Sequence, residues 1–155
     1  DWGTQSQTLL SPALWRQEFF PRTKSHCELA HSLGIKVFMH SCGQIEAIVP
    51  GLIEAGIDVL QFDQPTLHGI DVLASHQAKS KITFWCPVDI QRTLQTGDEE
   101  IIRAGAREML DKLWKGRGGF IAGYYSDNAS IGIDPKWQDF ACDEFLKHGV
   151  ASKYP

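Results

Sequence analysis

A histidine and a cysteine one residue apart are the sharpest chemical feature of this sequence. They lie in the segment His40-Ser41-Cys42, at the end of a short apolar run. Alternate side chains of an extended backbone point to the same side, so the imidazole and the thiolate can reach a single ion. Nitrogen and sulfur donors suit zinc, and Cys86, two strands along, offers a third ligand. The same residues also fit a packing role, because free thiols behave as small buried hydrophobes.

Two aspartates are the candidate catalytic carboxylates. Asp63 directly follows the apolar run 57–62, and Asp89 lies in the polar loop 87–91. A carboxylate at such a position can orient a metal-bound histidine, act as a general base or bind a substrate amine. Both aspartates also fit a structural role as turn residues or helix N-caps.

Strand-like apolar runs alternate with helical periods along the chain. The predicted strands cover 35–41, 57–62, 82–85 and 120–125. The predicted helices run from Pro12 to the interruption at Pro21, from there to Leu33, and over 45–56, 70–76, 98–114 and 135–149. This alternation predicts parallel strands joined by right-handed crossovers.

A doubly wound sheet and part of an eight-stranded barrel both fit this order of elements. The lack of a glycine-rich dinucleotide loop favours the barrel. Because a complete barrel needs ~250 residues, we predict an α/β fold that is half of a TIM-type (β/α)8 barrel, with four parallel strands in one domain over 1–155. Polar residues follow each predicted strand, and the carboxyl ends of parallel strands face a common crevice, so the functional site is expected there.

Composition excludes several classes of protein. The 155 residues are 43% hydrophobic and 22% charged, which suits one globular domain. A net charge of -4 without a basic stretch disfavours nucleic acid as a partner. No apolar run approaches the ~20 residues of a membrane span. The four irregularly spaced cysteines predict reduced thiols in a cytoplasmic protein.

Several segments together resemble a known family. They are Asp-Trp-Gly-Thr-Gln at 1–5, Ser11-Pro12 with Trp15, His40-Ser41-Cys42-Gly43, Glu54-Ala55-Gly56-Ile57-Asp58, Val88-Asp89-Ile90-Gln91 and Gly118-Gly119-Phe120-Ile121. Over nearly the whole chain they resemble the C-terminal half of the uroporphyrinogen decarboxylase superfamily. The resemblance implies a barrel of the triosephosphate isomerase type. The superfamily includes decarboxylases and zinc-dependent, corrinoid-linked methyltransferases.

The His-x-Cys element is similar to the methyltransferase branch, and this similarity implies His40 and Cys42 as zinc ligands. The later cysteine of that branch follows the last strand, where this chain reads Gly-Tyr-Tyr-Ser-Asp at 123–127, so Cys86 is the candidate substitute. The arginines of the true decarboxylases belong to the N-terminal half and are not in this chain, which disfavours decarboxylation of a porphyrinogen.

The resemblance thus implies a zinc enzyme that moves a methyl group between a small methylated substrate, a corrinoid protein and a thiol or similar acceptor. No Asp-x-His-x-x-Gly signature is present, so a partner protein would carry the corrinoid. Asp63 and Asp89 would position the substrate or a zinc ligand. The residues expected to line the crevice and bind substrate are Trp2, Gln5, Gln61, Gln64, Gln91 and Tyr124.

Two alternatives remain open at the level of sequence. One is a decarboxylase-like enzyme of unknown substrate, and the other is a non-catalytic half-barrel that binds a ligand or assembles with a partner. Because the sequence starts at Asp1 without a methionine, we expect a fragment of a longer chain. The outer strands of a half-barrel expose unpaired edges, which either a missing N-terminal half or a second copy in a homodimer would cover.

Overall fold

Four short parallel strands form a single sheet in the computed structural model, which describes residues 1–149. The strands are β1 (Phe38–His40), β2 (Val59–Gln61), β3 (Thr83–Cys86) and β4 (Phe120–Ala122). Each strand pairs with the next one along the chain, so the spatial order equals the sequence order. A doubly wound sheet reverses its order at a switch point, whereas a barrel adds every strand on the same side. The α/β fold is therefore a partial TIM-type barrel, as predicted.

Six α-helices lie within the described residues 1–149 and flank the sheet. They are α1 (Pro12–Glu18), α2 (Phe20–Ser32), α3 (Val49–Ala55), α4 (Ile70–Lys79), α5 (Glu99–Met109) and α6 (Pro135–His148). The crossovers between successive strands are made by α3, α4 and α5, whereas α1 and α2 precede β1 and α6 follows β4. Caps explain where several helices begin and end. The Ser11 hydroxyl accepts a hydrogen bond from the Leu14 amide at 3.2 Å, and the Asp98 carboxylate accepts one from the Ile101 amide at 3.0 Å. Gly56 ends α3 with φ +107°, a conformation that favours glycine.

Several predicted elements differ from the structure in extent; the strand predicted over 120–125, for example, ends at Ala122. The first strand and the longest helix show the reasons. The strand predicted over 35–41 begins only at Phe38, because the Val37 amide donates to the side chain of Asp58 at 2.9 Å instead of to a neighbouring strand. The helix predicted over 98–114 changes at its end: α5 stops at Met109, and a π-helical turn continues over Leu110–Trp114. In both cases side-chain or local packing geometry decides the boundary, which hydrophobic periodicity does not report.

The two faces of the sheet have different surroundings. Leu60 of β2 and Phe84 and Cys86 of β3 are fully buried in the core beneath the helices. Side chains alternate along a strand, so the residues between them face the other way. Trp85 is 39% exposed there and Ile121 42% exposed. In a barrel the helices form the outer ring, so this open face corresponds to the barrel interior.

None of the helices within residues 1–149 is long and apolar enough to cross a membrane.

Candidate functional site

Three potential metal ligands converge at the carboxyl end of β1. The Nε2 atom of His40 lies 3.4 Å from the Sγ atom of Cys42 and 3.5 Å from an Oδ atom of Asp1. One ligand atom from each residue falls within 4.8 Å of the other two. This spacing allows one ion to contact all three side chains. The structure thus brings together the predicted His40 and Cys42, and it adds Asp1, which the sequence analysis did not single out.

Close packing of two glycines brings Asp1 to this place. A Cβ atom on Gly43 would lie 2.4 Å from the carbonyl carbon of Gly3, so neither backbone could approach the other with a larger residue there. Gly43 also has φ +79°, which favours glycine. The contact aligns the first residues with the end of β1: the Trp2 amide donates to the Ser41 hydroxyl at 3.0 Å. One step further, the Asp1 carboxylate accepts a hydrogen bond from the backbone amide of Cys42 at 2.8 Å.

Two polar side chains outside this group of three, Gln61 and Asp63, are hydrogen-bonded in series to His40. The Oε1 atom of Gln61 is hydrogen-bonded to Nδ1 of His40, and the side-chain amide of Gln61 donates to Asp63 at 2.6 Å. Gln61 is the register partner of His40 on β2, so parallel pairing places the two side chains on the same face. Asp63 therefore contacts Gln61 and reaches His40 only through it.

The electrostatic surroundings of Cys42 disfavour a free thiolate. Partial burial raises the pKa of its thiol, and the negative charge of Asp63 raises it further. A cation bound between Asp1, His40 and Cys42 would counter both effects, because a coordinating thiol is deprotonated by its metal.

Cys86, the predicted third zinc ligand, does not join this group. It has no exposed surface and lies in the core with Phe84, on the face of the sheet that the helices cover. His40 aligns with Gln61 and Trp85 on the open face, and Cys86 is one residue out of phase with them. Burial raises the pKa of its thiol far above the usual range. The structure therefore gives Cys86 a packing role.

Asp89 is buried in its own loop. Its carboxylate accepts hydrogen bonds from the backbone amides of Gln91 at 2.9 Å and Arg92 at 2.8 Å, and from the hydroxyl of Thr66. These contacts occupy both oxygens and are those of a residue that fixes a turn. Of the two predicted catalytic carboxylates, only Asp63 is connected to the cluster.

Most of the chain, including this group of side chains, matches a known protein family. A family model described as uroporphyrinogen decarboxylase (URO-D) matches residues 1–125, a range that includes all four strands and the three clustered side chains. The chain belongs to the uroporphyrinogen decarboxylase family. No curated protein and no solved structure matches it significantly. Membership of this family places the partial barrel in a superfamily of decarboxylase-like and methyltransferase-like TIM barrels.

The remaining predicted substrate-binding residues of this uroporphyrinogen decarboxylase family member occupy separate places. Gln5 and Gln64 form a reciprocal pair, with amide hydrogen bonds of 3.2 and 3.0 Å. Trp2 packs edge-on against Phe19, with ring centroids 4.6 Å apart. Tyr124, after β4, accepts a hydrogen bond from Asn128, and Gln91 is exposed beside Asp89.

A faint sequence signal for Asp1 existed within the family resemblance itself. The segment Asp-Trp-Gly-Thr-Gln is part of that resemblance, and its Gly3 is the residue that packs on Gly43 of the His-Ser-Cys-Gly element. Their pairing across some forty positions, however, follows only from the folded chain.

Proposed function

We propose that this protein is a metal-dependent methyltransferase in which Asp1, His40 and Cys42 hold a zinc ion. The observation that carries the proposal is the convergence of a carboxylate oxygen, an imidazole nitrogen and a thiol sulfur within 4.8 Å. It occurs at the carboxyl end of a barrel strand, where enzymes of this fold place their active sites.

The chemistry of the donor set fits zinc. Zinc accepts oxygen, nitrogen and sulfur ligands, and its catalytic sites combine three protein ligands with one open position. Bound there, zinc would supply a positive charge that favours the thiolate form of a thiol acceptor at neutral pH. The hydrogen bond at Nδ1 of His40 also fits a role as metal ligand, because a metal-bound histidine usually bonds a polar partner through its other nitrogen. Here that partner is Gln61.

The chain's own residues would bind the acceptor and the methylated substrate at two different places. The three clustered side chains fix the position of the acceptor, while the open face of the sheet offers apolar surface for a methylated substrate. Phe38 and Trp85 pack on that face with ring centroids 5.3 Å apart. In the transfer, the acceptor thiol loses its proton and its sulfur bonds to the methyl carbon. The donor, a small methylated compound or a corrinoid on a partner protein, leaves with the electron pair of the broken bond.

Metal analysis of protein purified without added metal tests the proposal. We expect about one zinc per chain, and we expect His40→Ala, Cys42→Ser and Asp1→Asn each to lower the zinc content. Cys86→Ala is the matched control, because it removes a thiol from the covered face and should leave the zinc content unchanged.

Two outcomes would count against this function. Absence of zinc from the unaltered protein, even after incubation with zinc salts, would leave the decarboxylase-like and non-catalytic alternatives. Zinc that is lost in Cys86→Ala but retained in Asp1→Asn would restore the ligand set predicted from the sequence. A methyl-transfer assay with methylcobalamin and a small thiol then measures the activity itself, again with Cys42→Ser compared against Cys86→Ala.

A further inference from the structure

The side-chain amide of Gln61 bridges His40 and Asp63, and its two ends face different partners. Its nitrogen lies 2.6 Å from an Oδ atom of Asp63, and its oxygen contacts Nδ1 of His40. Both polar atoms of the amide are therefore engaged. One N–H and one oxygen lone pair of the amide remain for the substrate-binding role predicted for Gln61.

Asp63, Gln61 and His40 form a chain of two hydrogen bonds, called the relay below. Simple donor and acceptor rules fix the direction of both bonds. An ionised carboxylate only accepts hydrogen bonds, so the NH2 group of Gln61 must face Asp63. The oxygen of the same amide then faces His40, and an amide oxygen also only accepts. The hydrogen between Gln61 and His40 therefore belongs to Nδ1 of the imidazole. A neutral imidazole carries one N–H, so Nε2 is left with a free lone pair.

That lone pair is on the atom that faces the cluster. Nε2 of His40 is the nitrogen that lies 3.4 Å from Cys42 Sγ and 3.5 Å from the Asp1 carboxylate. Free imidazole side chains prefer the opposite tautomer, with the hydrogen on Nε2, which would block a metal at this position. The relay thus acts against the intrinsic preference of histidine.

We propose that Gln61 is a positioning residue: oriented by Asp63, it holds His40 in the Nδ1-protonated tautomer and leaves Nε2 ready to bind a metal ion. The part of this inference that concerns metal binding rests on the proposed function. The part that concerns the tautomer does not, because the hydrogen bonds exist in the chain without an ion.

Nitrogen-15 NMR of the metal-free protein tests the tautomer directly. Spectra recorded at about pH 8, where free imidazole is neutral, distinguish a protonated from an unprotonated nitrogen for each ring. We expect His40 to show a protonated Nδ1 in the unaltered protein. In Gln61→Leu, which shortens the side chain by one atom and removes both polar atoms, we expect the signal to move towards the Nε2-protonated form.

A double variant separates positioning from simple damage to the fold. Combining Gln61→Glu with Asp63→Asn exchanges the amide and the carboxylate between the two positions. A carboxylate at position 61 still accepts from Nδ1 of His40, and an amide at position 63 can donate to it, so the relay is preserved with the same total charge. We expect the double variant to restore the Nδ1-protonated tautomer. Gln95→Leu is the control for loss of a glutamine amide away from the cluster, since Gln95 contacts the backbone of Ile131.

Metal affinity supplies the second measurement. Cobalt(II) titration, followed by its visible absorption, should show affinity lowered by roughly 10- to 100-fold in Gln61→Leu, largely restored in the double variant and unchanged in Gln95→Leu. An Nε2-protonated His40 in the unaltered protein, or a tautomer unchanged by Gln61→Leu, would overturn the proposal. The expected tautomers without any cobalt binding would instead reject the metal site while leaving the relay intact.

Discussion

The two faces of the sheet use neighbouring residues of the same strands for different purposes. On the covered face, Leu60 and Phe84 have no exposed surface and pack beneath the helices. On the open face, His40 and Gln61 hydrogen-bond each other, and Trp85 beside them is 39% exposed. The alternation of side chains places the residues that hold the fold together one position away from those that can do chemistry.

This separation has a consequence for how the protein tolerates change. Substitutions on the covered face should alter stability, whereas substitutions on the open face should alter binding at little cost in stability. The two cysteines illustrate the difference: Cys42 lies at the end of the open face with His40, and Cys86 lies in the core.

Phe84→Ala should have the largest effect on stability. The ring is fully buried at the centre of the sheet and packs near Phe62, with centroids 5.9 Å apart. Its removal loses apolar burial and leaves a cavity, so we expect the free energy of unfolding to fall by about 3–5 kcal/mol. Chemical denaturation measures it. A loss below about 1 kcal/mol would show that Phe84 is not part of a well-packed core.

The buried His68 should make the stability of the protein depend on pH. His68 is 5% exposed and stacks on Phe62 with ring centroids 4.2 Å apart, and its buried Nδ1 has no hydrogen-bond partner among the described residues. Burial lowers its pKa from 6.5 to about 4, and the nearby His76 contributes to the lowering. Folding therefore favours the neutral form of His68.

The sign of the effect follows from linkage. Below pH 6.5 the unfolded chain binds a proton at His68 that the folded chain does not, so stability falls as pH falls towards about 4. The expected loss approaches about 3 kcal/mol. Denaturation curves between these pH values should lose this slope in His68→Phe, which keeps an aromatic ring, and should keep it in the exposed control His26→Gln. An unchanged slope in His68→Phe would show that other groups cause the acid sensitivity.

Asp58 adds to the pH dependence of stability in a lower pH range. Hydrogen bonds from Lys36, Val37 and His31 outweigh its burial and lower its pKa from 3.8 to about 2.

The sequence predicted the strands and the helices, and it also predicted that His40 and Cys42 lie together, for identifiable reasons. Caps such as Ser11 and Asp98 act within a few residues, so local patterns reveal them. The His40 and Cys42 pair was also predictable, since the two residues share one extended segment.

The sequence left undetermined what is not local. The run 82–86 is almost entirely apolar, so its periodicity does not show which side chains face the helices, and in the structure Cys86 lies on the covered face, away from His40. The role of Asp1 depends on a contact between Gly3 and Gly43. The role of Gln61 depends on its register opposite His40. Both require the tertiary fold.

Trp85→Ala should have the smallest effect, although it removes a larger side chain than Phe84→Ala does. Trp85 is partly exposed, and its main partner is the Phe38 ring at 5.3 Å. An aromatic pair of this kind contributes about 0.5–1.5 kcal/mol, so we expect a loss of about 1 kcal/mol for the chain by itself.

The dependence of that loss on protein concentration decides what the open face contacts in solution. A monomer has the same stability at every concentration, whereas an interface between copies adds stability that grows with concentration. If Trp85→Ala costs about 1 kcal/mol at all concentrations, the open face is solvated and its apolar residues are available to a substrate. A loss that approaches that of Phe84→Ala and increases with concentration would mean that a second copy of the chain covers the face, which favours a homodimer over a missing N-terminal half. The open face would then be a second core, and the contrast between the two sides would hold only for the separated chain.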